Sequence, residues 1–184
     1  LVMFLLHYTL LRPDDLLLDE RSKPGEGAKK WDKLLLGFSF LLTIAMYVVA
    51  GLDSGRYHWS SLFPWSLYTG GAILTISGQL LFLVAQKQNK FFSSTVRVQN
   101  ERGQTVCDTG LYAYVRHPAY LGSLLQSIGF PLLLGSLWGI IPCSLMVLII
   151  IVRTSKEDQA LMKELKGYRE YSQKTMYRLV PRVF

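Results

Sequence analysis

The sequence predicts an all-α fold: a polytopic bundle of transmembrane helices that includes a tight helical hairpin and ends in a C-terminal cytoplasmic helix. Three observations carry that prediction. Long stretches hold no formal charge, Lys and Arg gather between those stretches in alternation, and the overall composition lies between a soluble domain and a lipid-embedded one. Half of the 184 residues are apolar and 18% are charged, against roughly 25% charged in ordinary soluble domains. Mean hydropathy is +0.24. A chain of this length forms a single domain.

The first element, residues 1–11, reads as the end of an apolar span that begins outside this numbering, because Leu1 to Leu6 carries no charge and no initiator Met. Residues 34–52 are uncharged over about 19 positions, close to the ~20 needed to cross the hydrocarbon core. Residues 62–86 form a second uncharged stretch carrying Gly70, Gly71, Ser77 and Gly78, small residues that let membrane helices approach closely. Residues 89–118 are polar and read as a cytoplasmic segment. From Tyr120 to Val152 no residue is charged, which is too long for one span and short for two. Gly129-Phe130-Pro131 and Gly135-Ser136 interrupt this run, so residues 119–152 are predicted to form a hairpin turning near Gly135 to Gly139. The remainder, 153–184, is predicted to start as a helix leaving the membrane. Leu161, Leu165, Tyr168 and Tyr171 place one apolar stripe along it, and Gly167 weakens or ends a segment there.

Charge placement orients these elements. Six basic residues lie between Arg12 and Lys33, only Arg56 lies between the first two full spans, five lie between Lys87 and His117, and the hairpin turn has none. Eight more follow Val152. The alternation puts every basic segment on the cytoplasmic side. It also accounts for the net charge of +7 without a nucleic-acid partner. Cys107 and Cys143 are too few for a disulfide framework or a zinc site, and no metal is implied. No secretory signal pattern opens the sequence.

Chemistry concentrates in two places. In Gly110-Leu111-Tyr112-Ala113-Tyr114-Val115-Arg116-His117-Pro118-Ala119-Tyr120-Leu121-Gly122, Pro118 keeps His117 out of helical geometry and suits the first turn of the helix that follows. An Arg-His pair with several tyrosines is thus expected at the mouth of a membrane helix, where exposed backbone N–H groups favour anions. On pattern alone, an interfacial loop with an aromatic belt and Arg116 on lipid headgroups explains the same residues. The second place is Arg153-Thr154-Ser155-Lys156-Glu157-Asp158, where Arg153 and Glu157 share a helix face. By itself that pair could be an ordinary surface contact, although ionisable groups at a membrane edge tend to mark sites.

Taken together, Arg-His-Pro-x-Tyr-x-Gly, a charge-free hairpin, Arg-x-x-x-Glu, Gly167-Tyr168-x-x-Tyr171 and Tyr177-Arg178-Leu179-Val180-Pro181 resemble the isoprenylcysteine carboxyl methyltransferase family. The resemblance runs from about Asn89 to Phe184. Weaker likenesses at Lys30-Trp31-Asp32-Lys33, Asn89 to Ser93 and Val96 to Gln99 suggest its prokaryotic branch and a cell-membrane location. The family implies S-adenosylmethionine as methyl donor. It places Gln104, Thr105, Val106, Cys107, Tyr112, His117, Pro118, Ala119, Tyr120 and Glu157 against that cofactor, with Glu157 holding its polar end. It gives Arg153 the acceptor, a lipophilic or lipidated molecule in the membrane, whose carboxylate it would pair. The family often has a more acidic run where this chain has Ser155 and Lys156, so Glu157 is the acidic residue carried over.

The residue types suit such chemistry. Methyl transfer from a sulfonium is dominated by alignment, a carboxylate acceptor is ionised at neutral pH and needs no general base, and an arginine fork can hold it by both oxygens. Tyrosines can face a sulfonium through cation–π attraction. Two other readings share parts of the pattern. A phospholipid amine N-methyltransferase would gain little from Arg153, and NADPH-dependent sterol reductases, which share His-Pro-x-Tyr-x-Gly, are larger.

Overall fold

The computed structural model of the protein describes residues 27–183. The expected partial span at 1–11 lies outside them. Among the described residues every regular element is helical: α1 (Lys30–Ala50), α2 (Trp65–Gln88), α3 (Pro118–Leu133), α4 (Ile140–Glu164) and α5 (Tyr168–Lys174), with short 3-10 turns at Asn100–Arg102 and Gly110–Ala113.

Apolar composition makes the first two helices. α1 continues in π-helical geometry through Gly51–Tyr57 and stops at His58, which adopts left-handed backbone angles. Together Lys30–Tyr57 and the whole of α2 are long and apolar enough to cross a membrane. The first span is longer than expected at both ends, beginning before residue 34 and running past 52, and the second is shifted, occupying Trp65–Gln88 rather than 62–86. Leu34, Phe38, Phe40, Leu41 and Val48 project from α1 with more than half their surface open. Such a continuous apolar face is foreign to a water-soluble monomer and natural against lipid.

Small residues hold α2 against α3. Gly71, Thr75, Gly78 and Phe82 recur along one face of α2, and they meet Leu132, Gly129, Gly122 and Gln126. A Cβ on Gly78 would come within 2.6 Å of the Gly122 carbonyl, and one on Gly122 within 2.5 Å of the Gly78 carbonyl. Only backbone fits between them. α3 starts with Pro118 at its first turn and, at 16 residues, spans about 24 Å. The connection between α3 and α4 spans 134–139, with Gly135 at φ 70°.

α4 differs from expectation. Its apolar limb does not end at Val152 but runs as one helix to Glu164, so the charged sequence from Arg153 onward continues the same rod. The chain breaks only at Leu165 and at Gly167, whose φ is 84°. α1 and α4 pack against each other, and Met46 and Ala50 of α1 and Cys143 and Ile150 of α4 are buried.

Asp53 ties the far end of the bundle. Its fully buried carboxylate accepts hydrogen bonds from the Ser60 N–H (2.8 Å) and hydroxyl (2.7 Å), the Ser136 hydroxyl (2.6 Å) and the Trp138 N–H (3.4 Å). The α1–α2 connection is thereby pinned to the hairpin turn. Around it Tyr57 stacks on Trp59, which meets Trp138 edge-on, an aromatic rim suited to a membrane interface.

Candidate active site

At the other end, residues 89–117 and the tail fold onto each other. The Arg116 and His117 N–H groups donate to the carbonyls of Tyr177 and Arg178, both at 2.9 Å, and the Tyr171 hydroxyl donates to the Tyr112 carbonyl at 2.7 Å. Leu165, Tyr168 and Tyr171 pack with Val98, Val106, Leu161 and Met162. A second cluster joins Ala85, Tyr112 and Ala119 to Phe82, Phe92, Cys107 and Leu111. Between these clusters opens a cavity of about 280 Å³.

Nine of the residues expected around the cofactor line this one cavity: Gln104, Thr105, Val106, Cys107, Tyr112, His117, Ala119, Tyr120 and Glu157. Pro118 does not. It is fully buried at the start of α3, where it shapes the turn that presents His117 (φ −128°, ψ 63°). Phe91, Phe92 and the 93–98 stretch form a further wall that the sequence indicated only through weak likenesses.

An aspartate absent from the expected set organises the site. Asp158, wholly buried, accepts from Arg116 Nε (2.8 Å) and Nη2 (3.0 Å), the Tyr168 hydroxyl (2.9 Å) and Arg178 Nε (2.9 Å). His117 Nε2 lies 3.2 Å from its Oδ1. A carboxylate can only accept, so the imidazole hydrogen on that edge sits on Nε2. Nδ1 makes no hydrogen bond to protein among the described residues. Burial opposes the charge of Asp158, but the hydrogen bonds from His117 and Arg116 outweigh it and hold the carboxyl well below its usual range. Burial, then the Asp158 charge, push the Tyr168 phenol well above its ordinary value, so it remains a donor.

Arg116 is not on lipid headgroups. It is buried, and its Nη1 donates to the carbonyls of Thr175 (2.7 Å) and Met176 (2.8 Å) just beyond α5, as a cation does at a helix C-terminus.

Arg153 and Glu157 do not pair with each other. Glu157 Oε2 accepts from the Tyr120 hydroxyl at 2.5 Å. Arg153 instead faces Asp32 near the start of α1, with Nε to Oδ1 at 2.6 Å and Nη2 to Oδ2 at 3.2 Å, and Nη2 also donates to the Ser94 carbonyl at 2.9 Å. Its guanidinium carbon sits 5.2 Å from the Tyr120 ring centre. The fork expected to grip an acceptor is therefore already engaged on one edge. Arg153, Tyr120 and Ser123 also line a neighbouring groove of about 270 Å³ between α1, α3 and α4, walled by Leu42, Met46, Phe130, Met146 and Ile149 among others. The cavity and the apolar groove meet at Arg153.

The profile of the isoprenylcysteine carboxyl methyltransferase family matches residues 68–163, which run from α2 to the end of α4 and hold most of the cavity wall. The chain belongs to the isoprenylcysteine carboxyl methyltransferase family. Among curated proteins it is similar to the protein-S-isoprenylcysteine O-methyltransferase of Saccharomyces cerevisiae, 31% identical over 109 residues, covering 56% of this chain and 44% of the relative. It is also similar to the protein of that name from Schizosaccharomyces pombe, 28% identical over 162 residues, covering 78% of this chain and 69% of the relative. The chain thus matches less than half of the first relative's length. Within the family match fall both Asp158 and the His117–Pro118 turn, whereas Asp32 lies outside it.

Proposed function

We propose that this protein is a membrane methyltransferase that uses S-adenosylmethionine to methylate the carboxylate of a lipophilic acceptor, as the names of its relatives describe for S-isoprenylcysteine. The observation that carries the reading is the meeting of two different spaces at Arg153: a cavity with carboxylate and aromatic walls, and an apolar groove between helices.

The cavity's chemistry fits the donor. Glu157 offers a carboxylate whose described partner is a single tyrosine hydroxyl, suited to an ammonium group. Tyr112, Tyr120, Phe91 and Phe92 offer ring faces for a cation and an adenine. His117 offers its Nδ1 edge. At about 280 Å³ the space lies near the low end for ligand pockets. When bound, S-adenosylmethionine supplies a sulfonium methyl, whose bond to sulfur breaks with the electron pair returning to sulfur as a carboxylate lone pair forms the ester bond.

The chain's own residues need move no proton in this reaction, since a carboxylate is ionised at pH 7. Arg153 orients the acceptor, Glu157 and His117 hold the donor, and the residues of the two clusters keep water from the junction. An acyl or prenyl chain lies in the α1–α3–α4 groove. Basic-residue placement supports a cytoplasmic site, and the likenesses at residues 30–33 and 89–99 support a prokaryotic cell membrane.

The test is incubation of the purified protein with methyl-labelled donor and N-acetyl-S-farnesylcysteine in lipid nanodiscs. The expected product is a base-labile methyl ester. Label appearing on an aminophospholipid headgroup would overturn the carboxylate reading in favour of N-methylation, and an absence of donor binding would overturn both.

A further inference from the structure

We propose that Asp32 is a positioning residue for methyl transfer, one that holds the Nε/Nη2 edge of Arg153 and leaves Nη1 as the donor offered to the acceptor. The proposal rests on the carboxylate-acceptor reading of the site.

Three of the five guanidinium hydrogens are committed. Two go to the Asp32 carboxylate and one to the Ser94 carbonyl. Asp32 is itself fixed: its side chain is fully buried, and Oδ2 accepts the Val96 N–H at 2.8 Å. Around it the start of α1 is strapped to α4 and to the 93–98 stretch. Lys29 Nζ reaches Glu164 at 2.6 Å, the Lys29 N–H donates to the Val96 carbonyl at 3.2 Å, and Lys156 lies over the Trp31 ring. With Tyr120 on its face, the guanidinium cannot turn without breaking three hydrogen bonds. Nη1 has no protein partner among the described residues, and Arg153 lines both cavity and groove.

This geometry changes how an acceptor is gripped. A free fork would bond both carboxylate oxygens, stabilising the ground state and drawing electron density from each. A single corner bonds one oxygen and leaves the other with its lone pairs for the methyl carbon. Asp32 also offsets the charge of Arg153, so the acceptor is recognised by direction more than by net attraction. Interactions that tighten the ground state alone do not speed the chemical step.

A distinctive signature follows. Asp32→Asn keeps an oxygen for the Val96 N–H but loosens Arg153 and unmasks its charge. N-acetyl-S-farnesylcysteine should then bind more tightly, with a lower KM, while kcat falls about tenfold or more, as misalignment near a reacting centre allows. Donor affinity, read by calorimetry, should be unchanged. In an Arg153→Gln background the same substitution should have no further effect, because the two residues act as one unit. A rise in KM alongside the fall in kcat, or an equal loss in both backgrounds, would reduce Asp32 to a structural residue.

A second measurement does not depend on turnover. Phenylglyoxal modification of Arg153, followed by peptide mass spectrometry on the folded full chain, should be slow in the wild type and several-fold faster in Asp32→Asn. If that variant melts too low, Asp32→Glu is used instead, since its longer arm displaces the pair and should also raise the rate. Equal rates in wild type and variant overturn the proposal. If the wild type binds donor yet leaves the farnesylated probe unmethylated, the carboxylate reading fails while the modification rates still judge Asp32.

Discussion

Asp158 is bonded by two arginines and a tyrosine and touches an imidazole, so removing its charge takes a carboxylate from two guanidiniums at once. Asp158→Asn should cost on the order of 3–5 kcal/mol, as breaking a buried ion pair does, read as a lower melting temperature in detergent. The pH dependence follows in sign. The folded-state value lies below the ordinary 3.8, so the stabilisation is complete well above pH 4 and drains away as pH falls below the unfolded value. Asp158→Asn should flatten that acid limb; an unchanged limb would assign it to other carboxylates. Glu157→Gln is the cleaner probe of donor binding, because among the described residues its carboxylate accepts a hydrogen bond only from Tyr120. It should weaken donor affinity by about tenfold, the scale of a charged hydrogen bond, at constant melting temperature. His117→Ala should lower both, since the ring is also part of the Asp158 cluster. The sequence pointed to Glu157 through its motif yet passed over its neighbour. One residue along a helix turns the side chain by about 100°, and that turn carries Asp158 away from the cavity and onto the Arg-His element.

The α2–α3 contact behaves as a unit. Gly78→Ala or Gly122→Ala places a methyl against backbone rather than against a movable side chain. Each should cost about 1–3 kcal/mol, the usual range for overpacking, measured by thermal melting, whereas Gly70→Ala, whose Cβ meets nothing within 4 Å, should leave the melting temperature unchanged. The small residues of the second span were legible as a contact face. Their partners were not, because Gly129 and Pro131 read as punctuation of a hairpin when Gly129 in fact receives Thr75. Helix ends were harder still. The change from apolar to charged sequence at Arg153 breaks no backbone hydrogen bonding, so α4 runs on to the Leu165–Gly167 break.

At the scale of the molecule, Arg102 and Lys163 are expected on one side of the membrane and Arg56 on the other. Cysteine labelling at these positions in sealed vesicles checks this, and equal access of Arg56 and Lys163 positions to one impermeant reagent would refute it. The gathering of His117, Glu157 and the 104–107 segment could be anticipated, because the motifs that carry them lie together in one half of the chain. The Asp32–Arg153 pair could not, since 121 residues separate the partners and a lone aspartate among lysines before an apolar run looks like an ordinary flank. The unbroken course of α4 has a mechanical side. Its far end is moored beside the Asp53 tie, and its other end bears Arg153, Glu157 and Asp158 on one rod. From Ile140 to Asp158 the rod measures about 27 Å, so a tilt of about 5° at the mooring sweeps the three side chains roughly 2 Å together. As the expected second limb of the hairpin, the helix is predicted to answer a thinner membrane by leaning, as spans of fixed length do. Turnover in vesicles of stepped acyl-chain length should peak at one thickness and fall on both sides, with donor affinity following the same curve through Glu157.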